Sequence, residues 1–334
     1  MGEGVLMVKN KYPHVSQIYQ YQTLIRLLYI TLLLFMTWAT AERLFGIDRD
    51  LLQYKEFYNT LSFNYSGRFE LGFVFFSFIL KSLNIPFDIF LYVSAFLALR
   101  YKIYLLSRFK NSFLWLLVYL AIIYPTHELT QIRVSIALAF AYYAMYSVMM
   151  NEGLLSFRVI FFLLLSVFFH YTCLFFVPFI LFYSRLSKPK YLYCLLVVII
   201  PVIFFKLSIV SLDVINPDVK NIIFSSELGE NAVNPFSFKI LTLISVCILG
   251  LLSFKIMPII ALPWYYLSLS GISVFYGLID VPVFAHRILE LTVFSSFYWI
   301  GFLPVRYKFT AIGIFCVFSM YYLYRIIYID PLFY

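Results

Sequence analysis

Charge is what this chain has least of. Only 12% of its residues are Asp, Glu, Lys or Arg, against about 25% in soluble domains, which excludes an ordinary soluble fold. No hydrophilic stretch is long enough to form a domain of its own, so residues 1–334 read as one membrane-embedded unit. The four cysteines, Cys173, Cys194, Cys247 and Cys316, stand singly inside apolar runs. A disulfide or zinc framework needs clustering that they lack, and they read as core. Also missing are G-x-x-x-x-G-K-[ST], G-x-S-x-G, H-E-x-x-H and any Gly-rich phosphate loop; His127-Glu128 has Gln131 where a second His would stand. These absences set aside ATP-driven pumping and zinc proteolysis. A cleavable signal peptide is absent too, because the first apolar run, from about Thr23, is too long and has no small-residue cleavage site after it.

What is present is apolar. The chain is 63% hydrophobic with a mean hydropathy of +0.91, and apolar runs near the length of a membrane span recur throughout. That is the pattern of an all-α, polytopic membrane helical bundle. About eleven spans are predicted, at 22–40, 86–107, 112–126, 133–150, 154–169, 172–184, 191–210, 237–254, 256–276, 287–303 and 309–329. Residues 71–83 are too short for a crossing and read as a re-entrant or half helix. The formal charge of +9 is scattered over short loops, where it sets membrane orientation and does not form a nucleic-acid surface. With these spans, Lys9, Lys11, Arg100, Lys102, Arg108, Lys110, Arg185, Lys188, Lys190, Lys255, Arg306 and Lys308 share one side, which is therefore cytoplasmic. Apart from Glu3 and Glu152, the acids gather on the other. The outer face then holds 41–70, the 126–133 turn, His170, the 211–236 loop and 280–290. The 211–236 loop, with Asp213, Asp218, Glu227 and Glu230, reads equally as a solvated connector or a lid.

Four outer constellations carry candidate chemistry. The first holds Arg43, Asp48, Asp50, Tyr54, Arg68 and Glu70. Glu70 precedes an apolar half helix, where the helix dipole favours a carboxylate. Asp48-Arg49-Asp50 matches the D-x-D pattern that holds metal in nucleotide-sugar enzymes, but nucleotide sugars are cytoplasmic and this loop is assigned outside; no metal site is predicted. The second holds Glu128, Gln131 and Arg133. Arg133 opens a span, either as a fork for phosphate or as a residue snorkelling to the interface. The third is His170, among Phe168, Phe169 and Tyr171, a structural imidazole or a proton acceptor near neutral pH. The fourth is His286, Arg287 and Glu290, with Arg287 again opening a span from the outer side. Two arginines and a histidine on one face make an anionic-ligand site.

The order of these features resembles the EpsG-like branch of the Wzy polysaccharide polymerases. The outer R-x-x-G-x-D…Y stretch is Arg43, Gly46, Asp48 and Tyr54, with Asp50 the better-spaced acid. The E-x-G-F motif is Glu70-Leu71-Gly72-Phe73, with Leu71 where Pro is usual. The I-R-x-x-[IL]-A helix start is Ile132-Arg133 to Ile136-Ala137, with Gln131 in place of a Gln after the Arg. The F-H-x-[ST] element is Phe169-His170-Tyr171-Thr172, and Arg287 opens a late span. The resemblance runs from about residue 40 to 303.

It implies a GT-C-like glycosyltransferase of the bacterial cytoplasmic (inner) membrane, independent of metal and cofactors. Such an enzyme joins undecaprenyl-diphosphate-linked repeat units on the outer leaflet, moving the growing chain to the non-reducing end of a new repeat. Its partners would be the lipid-linked glycan donor and acceptor, the bilayer, and chain-length regulator and flippase proteins. Arg133 and Arg287 are expected to face the departing diphosphate, and Glu70 or His170 to take the proton of the attacking hydroxyl. Two rival readings stay open. One is a flippase or transporter of lipid-linked glycans, which calls for mid-span charges and paired half-sequences; the other is an acyltransferase acting through His170.

Overall fold

Apolar runs without water to solvate their backbone must satisfy N–H and C=O groups within the segment, and only a helix does so. The computed structural model describes residues 13–44, 50–62, 69–150, 156–186, 191–215 and 234–329, and among them every regular element is helical. The main helices are α1 (Pro13–Ala41), α2 (Leu51–Thr60), α3 (Leu71–Ser82), α4 (Phe87–Arg108), α5 (Ser112–Ile123), α6 (Ile132–Met149) and α7 (Phe157–Phe169). They continue as α8 (Tyr191–Ile215), α9 (Phe238–Leu252), α10 (Leu262–Gly277), α11 (Pro282–Ile300) and α12 (Val305–Tyr324).

Among the described residues, fewer helices are long and apolar enough to cross a membrane than the eleven spans predicted. Five segments are long and apolar enough: α4, α6, Tyr191–Ser208, Ile259–Gly277 and Val305–Ile329. Five more apolar helices, α3, α7 and α9 among them, have 10–17 residues. The backbone breaks where the predicted spans 154–169 and 172–184 meet. At His170 the chain is extended (φ −159°, ψ 114°), and a 3-10 turn, Tyr171–Phe176, follows. After α5, a π-turn over Tyr124–Glu128 carries Pro125. The 41–70 segment, assigned to the outer face, contains α2. Most of the 211–236 loop lies outside the described residues.

The bundle is centred on α6. Of its 18 residues, 16 are buried, and the two exceptions are Arg133 and Tyr143. Helices α4 and α7 pack along it, and Tyr142 of α6 stacks on Trp264 of α10 and donates its hydroxyl to the Leu291 carbonyl of α11. Between α10 and α11 the backbones approach so closely that a Cβ at Gly271 would stand 1.9 Å from Thr292 Oγ1. Ser268 there meets Ser295 at 2.6 Å and accepts from Trp299 Nε1 at 3.0 Å. Small residues with hydroxyls are how helices associate where lipid removes the hydrophobic drive. The outward surface is the reverse: Leu195, Ile199, Ile203 and Leu207 of α8 and Leu71, Phe75 and Ile79 of α3 are exposed, apolar stripes of the kind that face lipid.

Ring contacts fix the relative directions. Tyr101 of α4 lies 4.7 Å from Tyr143 of α6 and Tyr104 lies 6.1 Å from Tyr146, so α4 and α6 run the same way. Phe109, after α4, lies 5.1 Å from Tyr298, and the Lys110 ammonium sits over Phe302 at 4.4 Å. The C-terminal ends of α4 and α11 thus share one end of the bundle, and Arg133 and Arg287 open their helices at the other.

Candidate functional site

The site begins with a glycine. A Cβ at Gly72 would come within 2.5 Å of the Phe168 carbonyl oxygen, so the first turn of α3 lies directly on the last turn of α7. That contact sets Glu70, the residue before α3, beside His170, the residue after α7. His170 Nδ1 is 2.5 Å from Glu70 Oε1, and Arg133 Nη1 donates to Glu70 Oε2. One carboxylate therefore joins three helices, with one oxygen on each partner.

Aromatic side chains wall the cluster. The Arg133 guanidinium lies over Phe69 at 4.6 Å, the Tyr54 hydroxyl bonds to it, and Phe57 and Phe73 pack behind. Glu70 and His170 are buried, while the Arg133 side chain keeps 20% of its surface exposed. Burial pulls the Glu70 carboxyl upward, but the His170 hydrogen bond and the Arg133 charge outweigh it and hold the group below its ordinary value. Donors and acceptors remain for a ligand. Arg133 Nε and, two residues beyond His170, Thr172 Oγ1 are buried without a partner among the described residues, a condition native interiors rarely tolerate without a further group. His170 Nε2 has no hydrogen-bond partner among the described residues. An apolar groove of about 350 Å³ lies along α7, lined by Phe161, Leu164, Phe168 and Tyr171, the residue after His170.

The other predicted residues go elsewhere. Glu128 closes a second cluster: Oε1 accepts from Lys102 Nζ at 2.5 Å and Tyr119 at 2.7 Å, and Ser135 donates to Oε2. Lys102, grouped from sequence with the cations of the cytoplasmic side, is 1% exposed inside α4 and paired toward the other end of the bundle. The physical reason is this carboxylate, which the π-turn folds back against α4. Arg43, at φ 53°, donates to the Leu129 carbonyl and with Glu128 borders a void of about 10 Å³. Glu290 pairs with Lys239 at 2.6 Å beside His127, and His286 faces Phe275 at 5.4 Å. Gln131 caps α6, its carbonyl accepting from Ser135 N at 2.9 Å, and Asp50 precedes α2 without a side-chain capping bond. Arg287 is exposed, and among the described residues nothing ties it to the Glu70 cluster. Asp48 and Arg68 lie outside the described residues. Sequence reasoning missed Phe69, Tyr119 and Lys102. Only Lys102 left a signal there, as a cation between Tyr101 and Ile103 within a predicted span.

Fold and site define a class: an all-helical, multi-pass membrane protein with carboxylate–cation clusters about one end of a central helix. Within that class the chain belongs to the EpsG family, whose family model matches residues 26–333. This is the family of Wzy/EpsG-like polysaccharide polymerases. No curated protein and no solved structure matches the chain.

Proposed function

We propose that the protein is a polysaccharide polymerase, a GT-C-like glycosyltransferase of the bacterial inner membrane that joins undecaprenyl-diphosphate-linked repeat units on the outer leaflet without a metal. The observation that carries the reading is the Glu70 carboxylate, held through one oxygen by His170 and through the other by Arg133. A carboxylate so engaged is a weak base. It is well suited to orient an imidazole, leaving the opposite nitrogen to act. His170 Nε2 then takes the proton from the acceptor hydroxyl, and Glu70 acts as its positioning residue. The freed oxygen attacks the anomeric carbon of the growing chain, the bond from that carbon to the diphosphate oxygen breaks, and undecaprenyl diphosphate leaves.

The two arginines divide the work of meeting the leaving group. Arg133 is largely matched by Glu70 and offers the ligand its remaining N–H donors. Arg287, opening its helix at the same end without a partner, brings an unmatched charge to the diphosphate. The apolar groove along α7, which reaches Tyr171, gives the polyprenyl tail a path from the bilayer. Arg43, Asp48, Asp50, Tyr54, Arg68, Gln131 and His286 border this end in sequence or space and are assigned to glycan contacts. Glu128 and Glu290 act by holding the framework.

The test is reconstitution. Purified protein in liposomes, given lipid-linked repeat units and no nucleotide sugar or metal, is expected to produce a ladder of longer glycans. His170→Ala and Arg287→Gln are expected to lose it while inserting normally. Single repeats persisting with active upstream enzymes, or an undiminished ladder from both variants, would overturn the assignment.

A further inference from the structure

The second unburied residue of α6 points to a different site. Tyr143 follows Arg133 by ten residues, about 15 Å along the helix. It lines a cavity of about 710 Å³ between α1, α4 and α6, together with Tyr29, Tyr101, Tyr104, Arg100 and Arg108. Because α4 and α6 run the same way and Arg108 ends α4, this cavity lies toward the end of the bundle opposite the Glu70 cluster.

Its arginines are unlike the cations of the bundle's buried ion pairs. Lys102 has Glu128, Arg133 has Glu70 and Lys239 has Glu290. Arg100 and Arg108 have no carboxylate among the described residues. Arg100 lies over the Tyr101 ring at 5.5 Å and Arg108 over Tyr104 at 5.2 Å. An arginine near a helix end is explained by membrane orientation, and Arg108 needs nothing more. Arg100 does: it stands eight residues, about 12 Å, inside a membrane-length helix. An unmatched cation there is expensive and marks a ligand by default. Orientation also requires neither a cavity in the 300–1,000 Å³ range typical of ligand sites nor four tyrosines around it.

We propose that this cavity binds an anionic diacyl phospholipid from the leaflet at that end. Arg108, at the helix terminus, takes the phosphate through its guanidinium fork. Arg100, two turns deeper, meets the ester oxygens, which lie below the phosphate in such a lipid. The tyrosines suit the same zone, with an apolar body and a hydroxyl that seeks a partner. The site is independent of the polymerase reading, since it shares no residue with the Glu70 cluster.

Native mass spectrometry of the full chain from mixed micelles tests it. Wild-type protein is expected to keep a phosphatidylglycerol adduct under activation that strips phosphatidylcholine. Arg100→Gln with Arg108→Gln is expected to lower that retention about tenfold or more, the loss of one or two charge-assisted hydrogen bonds. Arg108→Gln alone, at the exposed helix end, provides the same readout if the double variant does not fold, with a smaller loss expected. Equal retention by variant and wild type overturns the site, as does equal retention of phosphatidylcholine. Displacement by millimolar inorganic phosphate, or preferential retention of a polyprenyl monophosphate, overturns the assignment to a diacyl lipid.

Discussion

Glu70 and Glu128 are two carboxylates handled in opposite ways at the same end of α6. Each is buried and paired with a cation. Around Glu128 everything is closed: Lys102, Tyr119 and Ser135 all donate to it, and the adjoining void of about 10 Å³ is at the lower limit for one water. Around Glu70 the arrangement is incomplete. Among the described residues, Arg133 keeps exposed surface and an unmet Nε, Thr172 has an unmet hydroxyl, and His170 Nε2 has no hydrogen-bond partner. A saturated buried pair fixes helices and can do little else, whereas an unsaturated one holds donors ready for a substrate. The comparison supports reading Glu128 as framework and Glu70 as part of the proposed site; the sequence made Glu70 a candidate base and Glu128 a candidate substrate contact.

Loss of chemistry without loss of fold is the largest effect expected. His170→Ala should reduce the polymerisation rate by about 10²- to 10⁴-fold, the usual contribution of a positioned base, with the melting temperature in detergent nearly unchanged. Glu70→Gln keeps the shape but not the charge, and should fall in the same range with kcat, and not KM, carrying the loss. A His170→Ala protein with a normal glycan ladder would place the chemistry elsewhere.

The closed cluster should fail the other way. Lys102→Met leaves Glu128 buried without its cation, a change that costs about 3–5 kcal/mol, and should appear as poor yield and a lower melting temperature. Adding Glu128→Leu removes the orphaned charge and should recover most of that stability. If the single variant is as stable as wild type, the pair is not structural and the contrast with Glu70 collapses.

How much of this was legible in advance follows from the same contrast. Membrane embedding, the all-helical class and the candidacy of Glu70, Arg133 and His170 could be read, because burial of charge in an apolar sequence is conspicuous residue by residue. Which carboxylate pairs with which cation could not. Glu70 and His170 are a hundred residues apart, and only the packing of α3 on α7 joins them. Lys102 was grouped with the cytoplasmic cations because basic residues were counted as markers of orientation, and nothing in a linear pattern shows the π-turn that brings Glu128 to it. The eleven predicted spans exceed the five segments of membrane-crossing length among the described residues, because several apolar runs form helices of only 10–17 residues.

Gly72 offers a more local way to disturb the open cluster. An added methyl would meet the Phe168 carbonyl oxygen at 2.5 Å, and a backbone atom cannot swing aside, so α3 must move off α7. Gly72→Ala should cost about 1–3 kcal/mol of stability, as overpacking does, and should separate Glu70 from His170. Activity should therefore fall further than stability does. Activity and stability falling in proportion would mean that the glycine serves packing alone.

The finest test concerns Tyr54, which is 4% exposed and bonds through its hydroxyl to Arg133. Tyr54→Phe keeps the ring against Phe69 and Phe73 and deletes only that bond, so about 1 kcal/mol is at stake. If the open cluster is poised by competition for Arg133, losing Tyr54 shifts the guanidinium toward Glu70 and away from the ligand. The expected result is a few-fold rise in KM for the lipid-linked donor, with kcat and melting temperature close to wild type. A fall in kcat with KM unchanged would show instead that Tyr54 positions the reacting groups, and would move it from the rim of the site to its centre.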